Sequence, residues 1–212
     1  MKRVRVKFCG LTRAEDVAAA VALGVDAIGL VLTEKSRRFA GLENARALRV
    51  GVPPFVSVVL LLMDDAPAWI ETAIEALQPD LLQFHGSERA AECTRYGLRY
   101  LKAIAMGTGA DAAAQMAEHA AASAFLLDSH APGAGGGSGV AFDWSRVPPA
   151  AARPVILAGG LTCDNVASAI RTAQPYAVDV SSGIESAPGI KDAHKMRRFI
   201  EEVERASSQS KT

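Results

Sequence analysis

The sequence predicts a single α/β domain, a (β/α)8 TIM barrel, and three observations support this fold class. The chain has 212 residues, of which 50% are hydrophobic and only 6% aromatic, so one domain can bury a large aliphatic core. Eight short aliphatic runs recur along the chain, and helical patterns separate them. A strand followed by a helix, repeated eight times, indicates a closed parallel barrel, with an open doubly wound sheet as the alternative.

The eight predicted strands carry little polar alternation, as is typical of strands that are buried on both faces of a parallel sheet. They are Val4–Cys9, Ala27–Leu32, Phe55–Leu62, Leu81–Phe84, Tyr100–Ile104, Ala124–Asp128, Pro154–Ala158 and Ala177–Val180. Near the N-terminus Arg5 and Lys7 alternate with Val4 and Val6, which is the period of a strand and unlike the apolar stretch of a signal peptide.

Start signals for helices follow several of these strands. Thr12 and Glu15 have the spacing of a capping box ahead of the first helix. Further predicted helix starts are Asp65 before Pro67, Ser87 with Glu88, and Thr162 before Val166. The last helix carries an apolar face, so we assign residues 1–205 to the barrel and 206–212 to a polar C-terminal tail.

The glycine-rich segment 132–139 replaces most of one helix. A linker between two domains is the alternative interpretation. Only two strand–helix units follow the segment, with no partner sheet of their own, so we interpret it as a loop within the barrel. A Walker phosphate loop is excluded, because Val140 and Ala141 stand where Lys and Ser or Thr are required.

Composition restricts the possible partners and the location of the protein. The 23 basic and 23 acidic residues cancel, which argues against binding to nucleic acid or to an anionic membrane. No apolar run has the roughly 20 residues that a membrane helix needs. The three cysteines and four histidines lack the spacing of a metal site. We therefore expect a cytoplasmic protein without a metal site. Composition does not reveal the oligomeric state, and a monomer or a homodimer acting on a small molecule is the expectation.

In such barrels the chemistry lies where the strands end, and Cys9 ends the first strand. Backbone amides and a helix N-terminus near Cys9 would lower its pKa and allow the thiolate to act as a base. The alternative is a small buried hydrophobic residue, which is also our interpretation of Cys93 and Cys163.

Asp128 ends an apolar strand, where a carboxylate is unfavourable unless it is used or paired. Its position suits proton donation, and a structural carboxylate that caps the next loop is the alternative. Cys9 and Asp128 could lie on opposite sides of a substrate at the barrel mouth. Two proton-transfer groups placed in this way suggest an isomerisation.

Glycine turns after the last two strands indicate a phosphate site. Gly159-Gly160 and the segment Ser181-Ser182-Gly183 would expose backbone N–H groups, and helix N-termini would add their dipoles. Tight turns without a ligand are the alternative. On the loop after the second strand, Arg37 and Arg38 compete as a second anion contact. His85 could bind the substrate or only order its loop.

These strand-end residues closely resemble those of the phosphoribosylanthranilate isomerase family. Six matching stretches occur in the correct order from the first strand to the last. They are Lys7–Thr12, Gln83–Gly86, Leu127-Asp128, Gly135–Gly139 ahead of Phe142-Asp143-Trp144, Leu157–Leu161 and Val178–Glu185.

The resemblance implies an Amadori rearrangement of N-(5-phosphoribosyl)anthranilate without a cofactor, in tryptophan biosynthesis. It implies that Cys9 is the general base and Asp128 the general acid. By the same resemblance Arg38 would hold the anthranilate carboxylate, and the turns at Gly160 and Ser182-Gly183 the phosphate. The family commonly has Ser-Pro-Arg-Tyr where this chain has Ser36-Arg37-Arg38-Phe39, so Arg37 stays a competitor.

Two rival functions remain at this point. A related barrel acting on an aminoimidazole ribotide of histidine biosynthesis, or on both substrates, would use two aspartates, and Cys9 argues against it. A barrel that binds a phosphorylated ligand without catalysis is the second rival. The presence of both Cys9 and Asp128 argues against that interpretation.

Overall fold

A computed structural model of the protein describes residues 3–107, 111–129, 141–148 and 151–209. Eight parallel strands form a closed barrel in chain order, with the first strand paired to the eighth. The strands are β1 Arg5–Cys9, β2 Ala27–Val31, β3 Ser57–Leu62, β4 Leu81–Phe84, β5 Tyr100–Ala105, β6 Ala124–Asp128, β7 Val155–Leu157 and β8 Ala177–Val180. The predicted barrel is confirmed, and each predicted strand is present with bounds that differ by at most two residues.

Helices surround the barrel. They are α1 Ala14–Ala22, α2 Leu42–Val50, α3 Pro67–Leu77, α4 Ala90–Thr94, α5 Ala112–Glu118, α6 Val166–Ala173 and α7 Ala193–Gln209. Two short strands, β9 Glu185–Ala187 and β10 Ile190–Lys191, form an antiparallel hairpin between β8 and α7. Two 3₁₀ turns, Trp144–Arg146 and Ser182–Ile184, complete the assigned elements. The glycine-rich segment 132–139 lies outside the described residues, and β7 and β8 beyond it complete the same barrel as β1 to β6.

The apolar core has two layers, because successive residues of a strand point to opposite sides of the sheet. Outward side chains pack against the helices, as Phe8 does against Phe199 of α7 with ring centroids 6.1 Å apart. A smaller inner layer fills the barrel, with Val59, Leu101 and Leu126 among its members. Residues Lys7 and Cys9 flank Phe8 in β1 and therefore face the interior.

The predicted capping box at Thr12 and Glu15 is wrong. Helix α1 begins at Ala14 after Arg13, which makes no side-chain cap. The Thr12 hydroxyl instead donates to the carbonyl of Gly189 at 2.6 Å, in the turn of the β9–β10 hairpin. This tertiary contact takes the hydroxyl that the local motif would have used.

Helix α4 begins at Ala90 after Arg89, later than the predicted start at Ser87 with Glu88. The Glu88 carboxylate instead accepts hydrogen bonds from the N–H of Gly86 and from Lys102.

Two further helix boundaries also differ from the prediction. Helix α3 begins at Pro67 as expected, but Asp65 accepts a hydrogen bond from the backbone N–H of Met63 and leaves the N-cap to Ala66. Helix α7 continues to Gln209, so the residues from Ala206 to Gln209 are helical and do not belong to a tail. The reason is packing, because Ala206 is fully buried. In the part of the chain that the structure describes, no helix is long and apolar enough to cross a membrane.

Candidate active site

A cavity of about 280 Å³ opens at the carboxyl ends of the barrel strands. Eight of the nine predicted site residues line it, namely Cys9, Arg38, His85, Asp128, Gly159, Gly160, Ser181 and Ser182. Gly183 lies beside it, with its backbone against Leu161. The barrel therefore brings residues from β1, β4, β6, β7 and β8 together, as the predicted strand ends require.

Cys9 is buried at the end of β1, and its chemical environment differs from the prediction. Burial raises the pKa of the thiol, while the ammonium group of Lys7 acts in the opposite direction. The expected lowering of this pKa by a helix N-terminus is wrong, because α1 begins only at Ala14. The side chains of Lys7 and Lys191 are the cations that favour a Cys9 thiolate most, and Arg38 acts in the same direction. Cys93 and Cys163 are free, buried and outside the cavity lining.

Asp128 is buried at the end of β6 and faces a histidine. Its Oδ2 atom lies 3.4 Å from Nε2 of His85. The other ring nitrogen of His85, Nδ1, lies 3.2 Å from the side-chain nitrogen of Gln83 in the interior of β4. Ser129 donates its hydroxyl to Oδ1 of Asp128 at 3.4 Å. The predicted site residue His85 thus lies between a buried amide and the predicted acid.

Arg38 is held by an acidic partner at the cavity edge. Its guanidinium makes two parallel hydrogen bonds to Glu185, from Nε and from Nη2, each of 2.8 Å. These bonds raise the pKa of Arg38. Arg37 also lines the cavity, but its side chain is exposed. The bidentate contact fixes the direction of Arg38, which is a property that recognition of a planar carboxylate requires.

Glu185 also connects Arg38 to the first strand. It accepts a hydrogen bond from Nζ of Lys191 at 2.7 Å. The same ammonium donates to the backbone carbonyl of Cys9 at 2.6 Å. The β9–β10 hairpin therefore joins the ends of β1 and β8 to the loop that carries Arg38.

The two glycine turns approach each other closely, and both need a residue without a side chain. Gly159 has φ of +75°, and a Cβ there would lie 2.5 Å from the backbone nitrogen of Ser129. A Cβ on Gly183 would lie 1.9 Å from the carbonyl oxygen of Leu161. Among the described residues, the N–H groups of Gly160 and Ser182 donate to no protein acceptor. These features suit an anion bound by backbone amides.

The expected contribution of helix dipoles to this anion site is smaller than predicted. Helix α6 begins only at Val166, well after Gly160, and the element after β8 is a short 3₁₀ turn at Ser182–Ile184. The side chain of Asn165 connects α6 to the turn by donating to the carbonyl of Gly160 at 2.8 Å. An anion at this position would therefore meet backbone amides of the turns rather than a helix terminus.

Sequence reasoning missed several polar residues of this site. Four of them, Lys7, Gln83, Asp179 and Glu185, occur inside the stretches that carry the family resemblance. A charged or amide side chain at an inward position of an apolar strand was the signal that could have found the first three. Lys191 carries no such signal, because its contact to Cys9 joins residues 182 positions apart. The described residues contain no group of three or more His, Cys, Asp or Glu that could hold a metal ion.

Comparison with known proteins extends these observations. Residues 6–202 match the model of the family described as N-(5'phosphoribosyl)anthranilate (PRA) isomerase. The N-(5'-phosphoribosyl)anthranilate isomerase of Thiobacillus denitrificans is 50% identical over 200 residues, which cover 94% of this chain and 98% of that protein.

Solved structures of phosphoribosyl anthranilate isomerases are also similar to this chain. One is a phosphoribosyl anthranilate isomerase in complex with reduced 1-(o-carboxyphenylamino)-1-deoxyribulose 5-phosphate, with a TM-score of 0.82 and 35% identity over 94% of this chain and 98% of that one. Another shows monomers of the dimeric phosphoribosylanthranilate isomerase from Thermotoga maritima, with a TM-score of 0.81 and 33% identity over the same shares of the two chains.

Proposed function

The chain belongs to the N-(5'-phosphoribosyl)anthranilate isomerase family, and we propose which of its residues perform each step of that family's reaction. The protein is an isomerase of tryptophan biosynthesis. It catalyses the Amadori rearrangement of N-(5'-phosphoribosyl)anthranilate to 1-(2-carboxyphenylamino)-1-deoxyribulose 5-phosphate. The roles of individual residues below are our proposal.

Asp128 is the general acid. It donates a proton to the furanose ring oxygen as the bond from this oxygen to C1 breaks, and the nitrogen lone pair forms a protonated Schiff base. The position of Asp128 at the cavity wall supports this role, because a proton donor must reach the substrate. His85, 3.4 Å from Oδ2 of Asp128, orients the carboxyl group.

Cys9 is the general base. Its thiolate removes the proton from C2 of the Schiff base, which gives a neutral enolamine and a thiol. The enolamine then tautomerises to the ketone product. Cys9 and Asp128 line the same cavity from β1 and β6, so a substrate between them can exchange protons with both.

The two anionic groups of the substrate have separate partners. The phosphate binds to the turns after β7 and β8, where the amides of Gly160 and Ser182 are available and where Gly159, Ser181 and Gly183 shape the backbone. The anthranilate carboxylate binds to Arg38, whose guanidinium Glu185 holds in place at the cavity edge. Two fixed anion contacts orient the sugar between the acid and the base.

The observation that carries this proposal is the single cavity that contains Cys9, Asp128, Arg38 and the two glycine turns. The test is to add purified protein to freshly prepared phosphoribosylanthranilate and to follow the loss of its fluorescence. We expect an enzyme-dependent loss, with the aminodeoxyribulose phosphate identified by mass and chromatographic retention. Absence of turnover would contradict the proposed function.

The remaining expectations concern location and assembly. We infer a cytoplasmic enzyme that has a phosphorylated small molecule as its partner and does not bind nucleic acid or a membrane. A monomer or a homodimer is expected, and sedimentation of the purified protein distinguishes the two. The phosphorylated product analogue in the related complex supports the substrate class.

A further inference from the structure

We propose that the buried ion pair of Lys7 and Asp179 positions the Cys9 thiol and supplies the positive charge that its thiolate form requires. This inference rests on the proposed function, in which Cys9 removes the proton from C2. Lys7 and Asp179 are positioning residues in this scheme, because they act through Cys9.

Strand register places the three residues together. Lys7 and Cys9 are separated by one residue of β1 and therefore point to the same side of the sheet, the barrel interior. Lys7 is paired in register with Asp179 of the neighbouring strand β8. The ammonium donates a hydrogen bond of 2.8 Å to Oδ1 of Asp179. The exposed fractions of the two side chains are 5% and 9%, so bulk water barely reaches this pair.

Gly29 lies close to both the thiol of Cys9 and the ammonium of Lys7. It is paired in register with Cys9 on the other neighbouring strand, β2. A Cβ on Gly29 would lie 2.7 Å from Sγ of Cys9 and 3.1 Å from Nζ of Lys7. A glycine within a strand weakens the strand and often marks a site of close approach. Here the missing side chain leaves room for the contact between Lys7 and Cys9.

Stability alone does not require the charges of this pair, because two apolar side chains of similar volume often stabilise a core equally well. Their electrostatic effect on Cys9 is specific. Burial raises the pKa of the Cys9 thiol, and Lys7 is the group that opposes this effect most strongly. Burial by itself would lower the pKa of Lys7, but Asp179 and the Cys9 thiolate together more than offset it, so the ammonium keeps its proton.

Other charged groups face Cys9 from the cavity side. Lys191 of β10 donates to the Cys9 carbonyl, and Glu185 neutralises much of its charge through a 2.7 Å contact. Arg38 is likewise paired with Glu185. Asp179 itself disfavours the thiolate, but its effect is smaller than that of Lys7. The net effect of the inner pair is therefore to favour the thiolate.

The proton balance of the reaction explains why this charge matters. Before the transfer, the Cys9 thiolate faces a substrate Schiff base that carries a proton. After the transfer, Cys9 is a neutral thiol and the enolamine is neutral, while Lys7 and Asp179 keep their charges throughout. The ion pair of Lys7 and Asp179 thus sets the fraction of Cys9 that is present as the thiolate, which is the form that acts as the base.

The test is the double variant Lys7→Met with Asp179→Leu, which removes both charges and leaves none unpaired. The ionisation of Cys9 is followed by the ultraviolet absorbance of its thiolate, with the Cys9→Ser form of each protein as the blank. We expect the midpoint of this ionisation to rise by about 1–3 pH units, as loss of a nearby opposite charge implies. The ascending limb of kcat against pH should move in the same direction, with KM nearly unchanged, and Lys7→Arg should restore most of kcat.

A matched control removes another buried ion pair, that of Lys102 and Glu88. Nζ of Lys102 lies 2.8 Å from Oε2 of Glu88, and neither residue lines the cavity. Lys102→Met with Glu88→Leu should leave the Cys9 midpoint in place. A folded Lys7→Met, Asp179→Leu protein with an unchanged midpoint would overturn the proposal, as would an equal shift in the control. If the double variant does not fold, Lys7→Gln, which keeps a donor to Asp179 without the charge, provides the same readout.

These measurements separate the two levels of inference. The ionisation of Cys9 is recorded without substrate, so it judges the role of the ion pair directly. Turnover of phosphoribosylanthranilate by the unmodified protein judges the proposed function. A shifted midpoint in a protein without turnover would reject the function alone, and normal turnover with an unshifted midpoint would reject the role of the pair.

Discussion

Arg38 and Glu185 are joined by two hydrogen bonds of 2.8 Å, although 147 positions separate them in the chain. Because both oxygens of Glu185 are engaged, the guanidinium plane is fixed before any substrate binds. This arrangement distinguishes Arg38 from the exposed Arg37, which also borders the cavity. The structure therefore favours Arg38 for recognition of the anthranilate carboxylate.

Replacement of this arginine tests the assignment. Arg38→Ala should weaken substrate binding by about 1.5–3 kcal/mol, the usual contribution of hydrogen bonds to charged groups. Where KM reports binding, this corresponds to a rise of roughly 10- to 100-fold. Arg37→Ala is the matched control and should change KM little. Small and equal effects of both replacements, measured by steady-state kinetics, would contradict the assignment.

A second prediction concerns the acid. Asp128→Asn keeps the shape of the side chain but removes the acidic proton, so kcat should fall by about 10²–10⁴-fold while the fold is retained. Asp111→Asn is a control of the same chemistry, since Asp111 caps α5 away from the cavity and Asn is an equally good cap. Turnover of Asp128→Asn within a few-fold of the unmodified protein would remove Asp128 from the mechanism.

The third prediction concerns stability in acid. Burial favours the neutral form of Glu185, but the hydrogen bonds from Arg38 and the charge of Lys191 prevail and lower its pKa below the ordinary 4.5. A carboxylate with a depressed pKa in the folded state stabilises the protein above the pKa of the unfolded chain, and the contribution is lost as the pH falls through the folded-state value. Glu185→Gln should therefore be less stable than the unmodified protein at neutral pH.

The difference between these two proteins should shrink as the pH falls below 4.5. Denaturant unfolding at a series of pH values measures it. A constant difference over the whole acid range would show that the loss arises from packing and not from the charge of Glu185.

The fourth prediction concerns the turn after β8. A Cβ on Gly183 would collide with the carbonyl oxygen of Leu161, so Gly183→Ala should displace the turn, raise KM and destabilise the fold by more than about 1 kcal/mol. Gly51→Ala is the control, because a Cβ there would meet its nearest neighbour at an ordinary 3.5 Å. Unchanged KM for Gly183→Ala would contradict the assignment of this turn to the phosphate site.

The strand pattern and the strand-end residues could be predicted from the sequence because both depend on local order along the chain. Residues such as Cys9 and Asp128 end apolar runs, and a parallel barrel brings such ends together whatever the loops do. The capping role of Thr12 was predicted wrongly, since its hydroxyl bonds to Gly189 across the fold. The lowered pKa expected for Cys9 was also wrong, because the depth at which the fold buries the thiol cannot be seen in the local sequence.

Contacts between distant charged residues could not be predicted in this way. In the sequence Lys7 is one polar residue of an alternating strand pattern. Only the closed barrel, in which β1 pairs with β8, places Asp179 beside it. Lys191 lies on a two-residue strand that carries no pattern of its own. His130 and the segment 132–139 lie outside the described residues, so the interpretation of that loop stays a prediction.

The most direct test of the central claim, that Cys9 is the base of this isomerisation, is the turnover of phosphoribosylanthranilate by Cys9→Ala and Cys9→Ser. We predict that kcat falls by about 10²–10⁴-fold in both variants, because neither alanine nor a serine hydroxyl supplies an anionic base near neutral pH. Cys163→Ala, which changes a cysteine outside the cavity lining, should keep normal turnover. A folded Cys9→Ala protein that retained near-normal kcat would contradict the claim, even with the barrel and the substrate confirmed.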